Sequence, residues 1–544
     1  MVSTSDRVIE CLETKQSFIV EAGAGSGKTR TLVEALAHLL AVEAGRLLSG
    51  NQQIVCITYT NVAANEIMSR INRDPLVRVS TIHEFLWSVV RGFQAELRTA
   101  IVKTNDAAGS RRIENLDLTD TPIDYWQYPR KWEDGKISHD DVVALSAALF
   151  DEYPKLVRLV ADRYPIIFVD EYQDTHQSTI KLLLDNMLAG NSERLTVGLF
   201  GDHMQRIYNT GVGKVERTEL RIIQKTENYR CSIAVIELLN KLRPELQQVP
   251  GDTNVQGSVR FVYANSGVRN PVAKIRVKLR AEGWTEQNEK VLMLTRKSIA
   301  SDLEWRDLLA AYEQRSGFSV DDLMRRDDEF GELFTNIEAM ASAFNSGRYG
   351  VFLALRAGSS GRITHHSDKK MAAEMIARLN KLRSSATVGE VADYVWSEGL
   401  LRKPRRVVSL EERIANGDNP DRAERDNAFL SALRAVPFAQ VTSFERYLNS
   451  ETPFSTNHGV KGEEYENVLV ILDDTLWNQY KFEAVLARDT SKTQYQRSLN
   501  LLYVSCSRAK RNLHVLVVSP LSKSAIDGAK RIFGGENVSE LANM

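Results

Sequence analysis

Short apolar runs recur along the chain, each closed by a polar or Gly-containing segment: 17–21, 54–58, 166–170, 195–201, 258–264, 290–295, 467–472 and 514–519. Runs of this length predict strands buried on both faces of parallel sheets, with helical patterns between them. They fall into two groups, before about residue 205 and after about residue 255, which predicts two α/β lobes. Two stretches break the rhythm. Residues 93–139 are polar, with aromatics in YWQYPRKWEDG, and residues 320–440 are helical in pattern and charged. Both read as insertions. The expected division is a first lobe at 1–92 and 140–226 with a small insertion at 93–139, and a second lobe at 227–319 and 441–544 with a helical insertion at 320–440. The basic stretch Arg402–Arg406 reads as a solvated loop, and so does the polar stretch around His365 and His366.

With 544 residues the chain is too long for one core. Its 43% hydrophobic and 26% charged residues are ordinary for a globular protein, and a formal net charge of −1 gives no global footprint of a nucleic-acid binder. A basic channel within a large enzyme remains compatible with that balance. Cys11, Cys56, Cys231 and Cys506 are scattered with no CxxC pair, which argues against a zinc knuckle, an iron–sulfur cluster or a disulfide framework. No His cluster has metal-ligand spacing. The polar N-terminus is unlike a signal peptide, and no apolar run approaches the roughly 18 residues of a membrane helix. A cytoplasmic protein is expected.

Candidate chemistry begins at Ala22-Gly23-Ala24-Gly25-Ser26-Gly27-Lys28-Thr29, which follows the first apolar run and precedes a helical pattern. Strand, Gly-rich turn and helix make a phosphate cradle, in which backbone N–H groups and a helix N-terminus hold phosphate oxygens. Lys28 is expected to reach the β- and γ-phosphates and the Thr29 hydroxyl to bind Mg²⁺. A second run ends in Asp170-Glu171. Asp170 is placed to hold Mg²⁺ and Glu171 to orient and deprotonate water. Arg230 and Arg508, in the second group of elements, are the residue type that stabilises charge on a transferred phosphoryl group.

These residues stand in an ordered series, AGAGSGKTR, ITYTNVAANEIMSRI, VSTIHEFL, VDEYQDT, FGDHMQRIY, NYR, STNHGVKGEEYENV and NLLYVSCSRAK. The series resembles the motifs of the UvrD/Rep/PcrA-type superfamily 1A DNA helicases across almost the full chain. The resemblance implies an α/β fold of two RecA-like parallel-sheet lobes, each interrupted by an inserted, mainly helical subdomain. It implies ATP and Mg²⁺ in the cleft, with Ala22 to Arg30 around the phosphates, Gln205 sensing the γ-phosphate, Arg230 and Arg508 as arginine fingers, Tyr229 on the adenine and Glu464 on the ribose. It places Thr58, Tyr59, Asn61, Thr81, His83 and His458 along a single DNA strand. Stacking of bases on aromatics suits a moving motor because it tolerates any sequence.

Three departures stand out. Arg7 occupies the place of the family's adenine-reading Gln. Tyr208 is followed by NTGVG, so Thr210 and Gly211 replace the family's stacking aromatic and arginine. The insertions are short, and only about 35 residues follow the last motif. Two functions are therefore carried forward. One is an ATP-dependent helicase translocating 3′ to 5′ on single-stranded DNA. The other is a DNA-sensing regulatory ATPase that resembles the UvrD-like subunits of antiviral defence systems of the Gabija type and activates a partner OLD-family (TOPRIM) nuclease. A P-loop GTPase or kinase explains neither the second-lobe arginines nor the intervening motifs.

Overall fold

The computed structural model describes residues 3–541 apart from 59, 127, 208–209, 265–266, 316–318, 357–364 and 418. It is an α/β structure with two all-parallel sheets. The chain divides into two compact units, Met1–Ala273 with Lys461–Met544, and Lys274–Val460.

In the first unit, one sheet runs in the order Val77–Ser80, Ile54–Ile57, Ile166–Asp170, Thr196–Gly201, Phe18–Ala22, Arg221–Lys225. Its central strands are apolar at most positions because both faces are covered, with Glu21, Asp170 and Thr196 the polar ones. Alternate residues serve opposite faces. Ile19, Val55, Ile167, Val169, Val197 and Leu199 join the core beneath the helices Ile82–Val90, His139–Glu152 and Pro154–Arg163. Phe18, Val20, Ile54, Cys56, Phe168 and Phe200 face the other way, against Thr4–Glu13, Lys28–Ser49 and Asn61–Arg70. Phe18, Phe168 and Phe200 meet edge to face with centroids 5.3–6.2 Å apart. After the short helix Gln177–Lys181 the chain continues as a π-helical turn, Leu182–Leu188, whose leucines also enter the core.

The stretch after Val90 is built onto the same core. The helix Gln94–Asp106 and the parallel strand pair Asp124–Tyr125 and Lys136–Ile137 bring Leu97, Ile101, Ile123, Trp132 and Ile137 against it. The first unit also carries parallel strands of the second sheet, in the order Tyr465–Leu472, Ala509–Val517, Ser258–Tyr263, Val538–Glu540.

The second unit pairs the strands Glu289–Met293 and Phe454–Thr456 in parallel and is otherwise helical. Arg315 and Arg413 share Glu329 and Asp426 at 2.6–3.3 Å, tying its helices together. Two loop expectations are corrected here. His366 opens the helix His366–Ser385 with His365 as its N-cap, because Asp368 accepts the His365 N–H in a capping arrangement. Arg405 and Arg406 begin the helix Arg405–Asn416 behind Pro404, whose fixed φ suits a helix start. Among the described residues no helix is long and apolar enough to cross a membrane.

Candidate functional site

The strand Phe18–Ala22 stops at Gly23, and the loop turns through Gly25 and Gly27 at φ of 73° and 78°. Glycine adopts that left-handed backbone without strain. The helix Lys28–Ser49 then starts with no side-chain cap on its N-terminus, so its first N–H groups point into the loop unanswered. Aligned peptide dipoles make such an end attractive to an anion. The loop is also hemmed in. Tyr229 N–H donates to Gly25 O at 3.0 Å, and the Asn228 and Gln248 amides both donate to Ala24 O, at 2.8 and 2.9 Å.

Lys28 leads from the loop to the acids. Its Nζ donates to Glu171 Oε1 at 2.7 Å. Asp170 ends its strand fully inside, and its Oδ1 meets no hydrogen-bond partner. Burial, aided by the neighbouring Glu171 charge, pushes its pKa up. Burial acts on Glu171 in the same direction, but the Lys28 and Lys461 ammoniums outweigh it and hold that carboxyl low. Lys461 pairs with Asp174 and stands 3.9 Å from Glu171. Lys461 lies within the stretch 455–468, but a lone lysine there carries no local signal of these contacts.

Gln205 sits on a turn after the strand Thr196–Gly201. Its amide donates to Asp202 Oδ2 at 2.8 Å. Facing it is Arg508, from the turn after the helix Tyr495–Cys506, with Nη2 to Gln205 Oε1 at 3.5 Å. Arg508 is 1% exposed, and its other acceptors are Val504 O, Glu463 O and Ser507 Oγ. All four acceptors are neutral. Burial, with Arg230 nearby, lowers its pKa to about 10. Arg230 instead donates to Glu464 Oε2 at 2.6 Å, so two residues expected at different parts of a nucleotide hold one another. Tyr229 is exposed, as a stacking face must be. Arg30 is exposed and pairs with Glu34 at 2.8 Å. Ala22 is buried at the end of its strand, Ser26 is buried in the loop, and Thr29 lies in the first turn of its helix.

The expected DNA residues are less gathered. Tyr59 lies outside the described residues. Asn61 is the first residue of the helix Asn61–Arg70. Thr58 is buried and donates to Thr60 O at 3.2 Å. Thr81 is the N-cap of Ile82–Val90, closed by Glu84 in a capping box, so its hydroxyl already serves the helix. The His83 ring lies tilted beside that of His139, ring centroids 4.7 Å apart. His458 belongs to the second unit, where burial lowers its pKa.

Gly211, where the family has arginine, has a structural reason. A Cβ there would lie 2.3 Å from Gln173 O, and 212 and 213 donate to 175 and 173 at 2.9 and 3.1 Å. The segment is stitched to the turn behind Glu171. Tyr208 and Asn209 lie outside the described residues.

A phosphate loop, a strand ending in paired acids and a buried arginine facing them, all set on parallel sheets, are the features by which the chain is similar to UvrD-like helicases. Residues 3–122 and 124–216 match the UvrD/REP helicase N-terminal domain. Along 97% of its length it is similar to Gabija protein GajB of Bacillus cereus (strain HuB5-5), at 25% identity over 96% of that protein. It is 24% identical to ATP-dependent DNA helicase PcrA of Staphylococcus aureus (strain Mu50), over 42% of this chain and 38% of that one. ATP-dependent DNA helicase UvrD1 of Mycobacterium bovis is also 24% identical, over 44% of this chain and 40% of that protein. The chain thus spans less than half the length of the two helicases and nearly all of GajB.

Proposed function

We propose that the chain is an ATP hydrolase that works with Mg²⁺, moves 3′ to 5′ on single-stranded DNA and unwinds duplex ahead of it. The observation that carries the hydrolytic reading is Arg508. A buried guanidinium surrounded by neutral acceptors is costly unless an anion joins it. A phosphate chain held by the loop and Lys28 is such an anion. In this reading Lys28, Arg508 and Arg230 share the phosphoryl charge, and Gln205 reports the terminal phosphate. Tyr229 stacks on the base and Glu464 takes the ribose once Arg230 releases it. Thr29 and Asp170 hold Mg²⁺, which supplies charge neutralisation at the phosphates. The unpartnered buried Asp170 Oδ1 fits a cation ligand. Glu171, kept ionised, orients and deprotonates water. Thr58, Tyr59, Asn61, Thr81, His83 and His458 line the strand. The lobes are 1–92 with 140–226 and 227–319 with 441–544, and the insertions are 93–139 and 320–440. A cytoplasmic setting fits the four buried cysteines, none of them in a disulfide.

A second reading shares this site and differs in output: a DNA-sensing regulatory subunit of an antiviral defence complex, switching a partner OLD-family nuclease and unwinding weakly. The end-to-end likeness to GajB favours it. So does an apolar cavity of about 470 Å³ in the second unit, lined by Phe344, Tyr349, Phe352 and Leu353, with Tyr349 and Leu353 exposed. ATP turnover by the purified chain, with and without single-stranded DNA and beside Lys28→Ala, tests the hydrolytic reading. Strong stimulation by bare strands supports the motor. ATP binding without stimulated turnover supports the partner-dependent reading. Failure to bind ATP sinks both.

A further inference from the structure

Behind the phosphate loop lies a cluster that the sequence did not announce. Glu21 stands two residues before Gly23. His203 follows Asp202 after the strand Thr196–Gly201, and Arg243 and Glu245 follow the helix Ile233–Leu242. His203 Nδ1 is 3.1 Å from Glu21 Oε2, and its Nε2 is 3.4 Å from Glu245 Oε1. The Arg243 guanidinium fills the middle. It reaches Asp202 Oδ1 at 2.7 Å, Glu245 at 3.3 Å and Glu21 at 3.4 Å. Asp202 is the hub. It also accepts from the Gln205 amide at 2.8 Å and from the Tyr503 hydroxyl at 3.4 Å, while that hydroxyl accepts the N–H of Ala24 in the loop at 3.2 Å.

We propose that His203 is a positioning residue for hydrolysis. By bridging Glu21 and Glu245 it fixes the cluster around Asp202, and so sets Gln205 opposite Arg508 and Tyr503 against the phosphate loop. The inference rests on the hydrolytic reading above. Three carboxylates share the cluster, so a single guanidinium leaves two charges unanswered, and a cationic ring reduces the excess to one. Tyr172 also donates to Glu21. The Lys214–Glu216 pair faces the same cluster. Burial alone would favour the neutral ring, but Glu21 and Glu245 overcome it and raise the pKa of His203 to about 9.

The experiment uses the whole chain. NMR titration of labelled histidines, with His203→Gln for assignment, is expected to keep the His203 ring cationic to pH 8. In parallel, kcat and KM for ATP are followed from pH 7 to 10. Wild-type kcat is expected to fall above about pH 9 with KM within two-fold. His203→Gln is expected to lose at least five-fold in kcat at pH 7.5 and to lack that limb, and His203→Arg to restore the rate and hold it at pH 10. A limb common to all variants would belong to another group such as Lys461, whose pKa is lowered to about 8, and would overturn the assignment of the wild-type limb to His203. A ring titrating near its ordinary value of 6.5, or His203→Gln with wild-type kcat and pH profile, overturns the proposal. A wild type that turns over no ATP sinks the hydrolytic reading instead, and the ring titration still decides the bridge.

Discussion

The Lys28 ammonium donates to the Glu171 carboxylate across 2.7 Å, joining residues 143 apart in the chain. On the proposed hydrolytic reading, the pair gives each group a substitute for what it would meet during turnover: Lys28 an anion in place of phosphate, Glu171 a cation beside its lone pairs. The two should therefore separate in mutants. Glu171→Gln frees Lys28, so nucleotide affinity is expected to stay equal or tighten while turnover drops roughly 10²-fold or more, the scale of a lost general base. Lys28→Ala is expected to lose binding itself. Fluorescent-nucleotide titration beside steady-state turnover checks both, and near-normal turnover by Glu171→Gln would remove that residue from the base role.

Arg508 separates stability from function in another way. With neutral acceptors only, its burial costs folding free energy that is recovered when an anion binds. Arg508→Met is expected to lose turnover by roughly 10³-fold or more, the scale of an arginine finger. In the absence of nucleotide it is expected to melt no lower than the wild type. Calorimetry of the two proteins decides it. A melting point several degrees lower, with turnover reduced only two-fold, would make Arg508 a packing residue.

What could be read from the sequence follows from what is local. Strands buried on both faces write themselves as unbroken apolar runs, and all eight runs are strands. The strands Val77–Ser80 and Arg221–Lys225 escaped because they are the edges of the first sheet. Arg221, Ile222 and Gln224 are exposed, so the second strand presents no unbroken apolar run. The phosphate loop and the paired acids were legible because each is one contiguous stretch. Glu21, His203, Arg243 and Gln248 were not. Their meaning lies in contacts across 182 to 224 residues, and no local pattern records those.

Gly211 offers a test of a departure from the family. Restoring the family's arginine by Gly211→Arg would place a Cβ 2.3 Å from the Gln173 carbonyl, which is backbone and cannot rotate away. The cost is expected to be about 2 kcal/mol or more, with turnover falling as well because the turn behind Glu171 is displaced. Urea unfolding gives the first and steady-state kinetics the second. A variant as stable as the wild type would show that 211–213 is not stitched to 173–175.

His83 carries a prediction about pH. Burial, aided by His139 beside it, pushes its pKa down from 6.5 to about 4. Between those values the unfolded chain binds the proton and the folded chain does not, so stability rises with pH across this window. The contribution of the neutral ring is complete above pH 6.5 and is lost as pH falls toward 4. With part of the ring in solvent, the loss is on the order of 1–3 kcal/mol. His83→Phe is expected to narrow the gap between urea midpoints at pH 7.5 and pH 5. A gap unchanged by the substitution would mean that the ring titrates as an ordinary histidine. The same neutrality bears on DNA. At pH 7.5 the ring has no charge with which to displace a counterion, so it can meet a strand only by stacking or hydrogen bonding. His83→Ala is then expected to weaken single-strand binding without altering its dependence on salt, because that slope counts neutralised phosphates. A slope reduced by about one would show the ring charged on DNA, and the expectation of a neutral contact would fail.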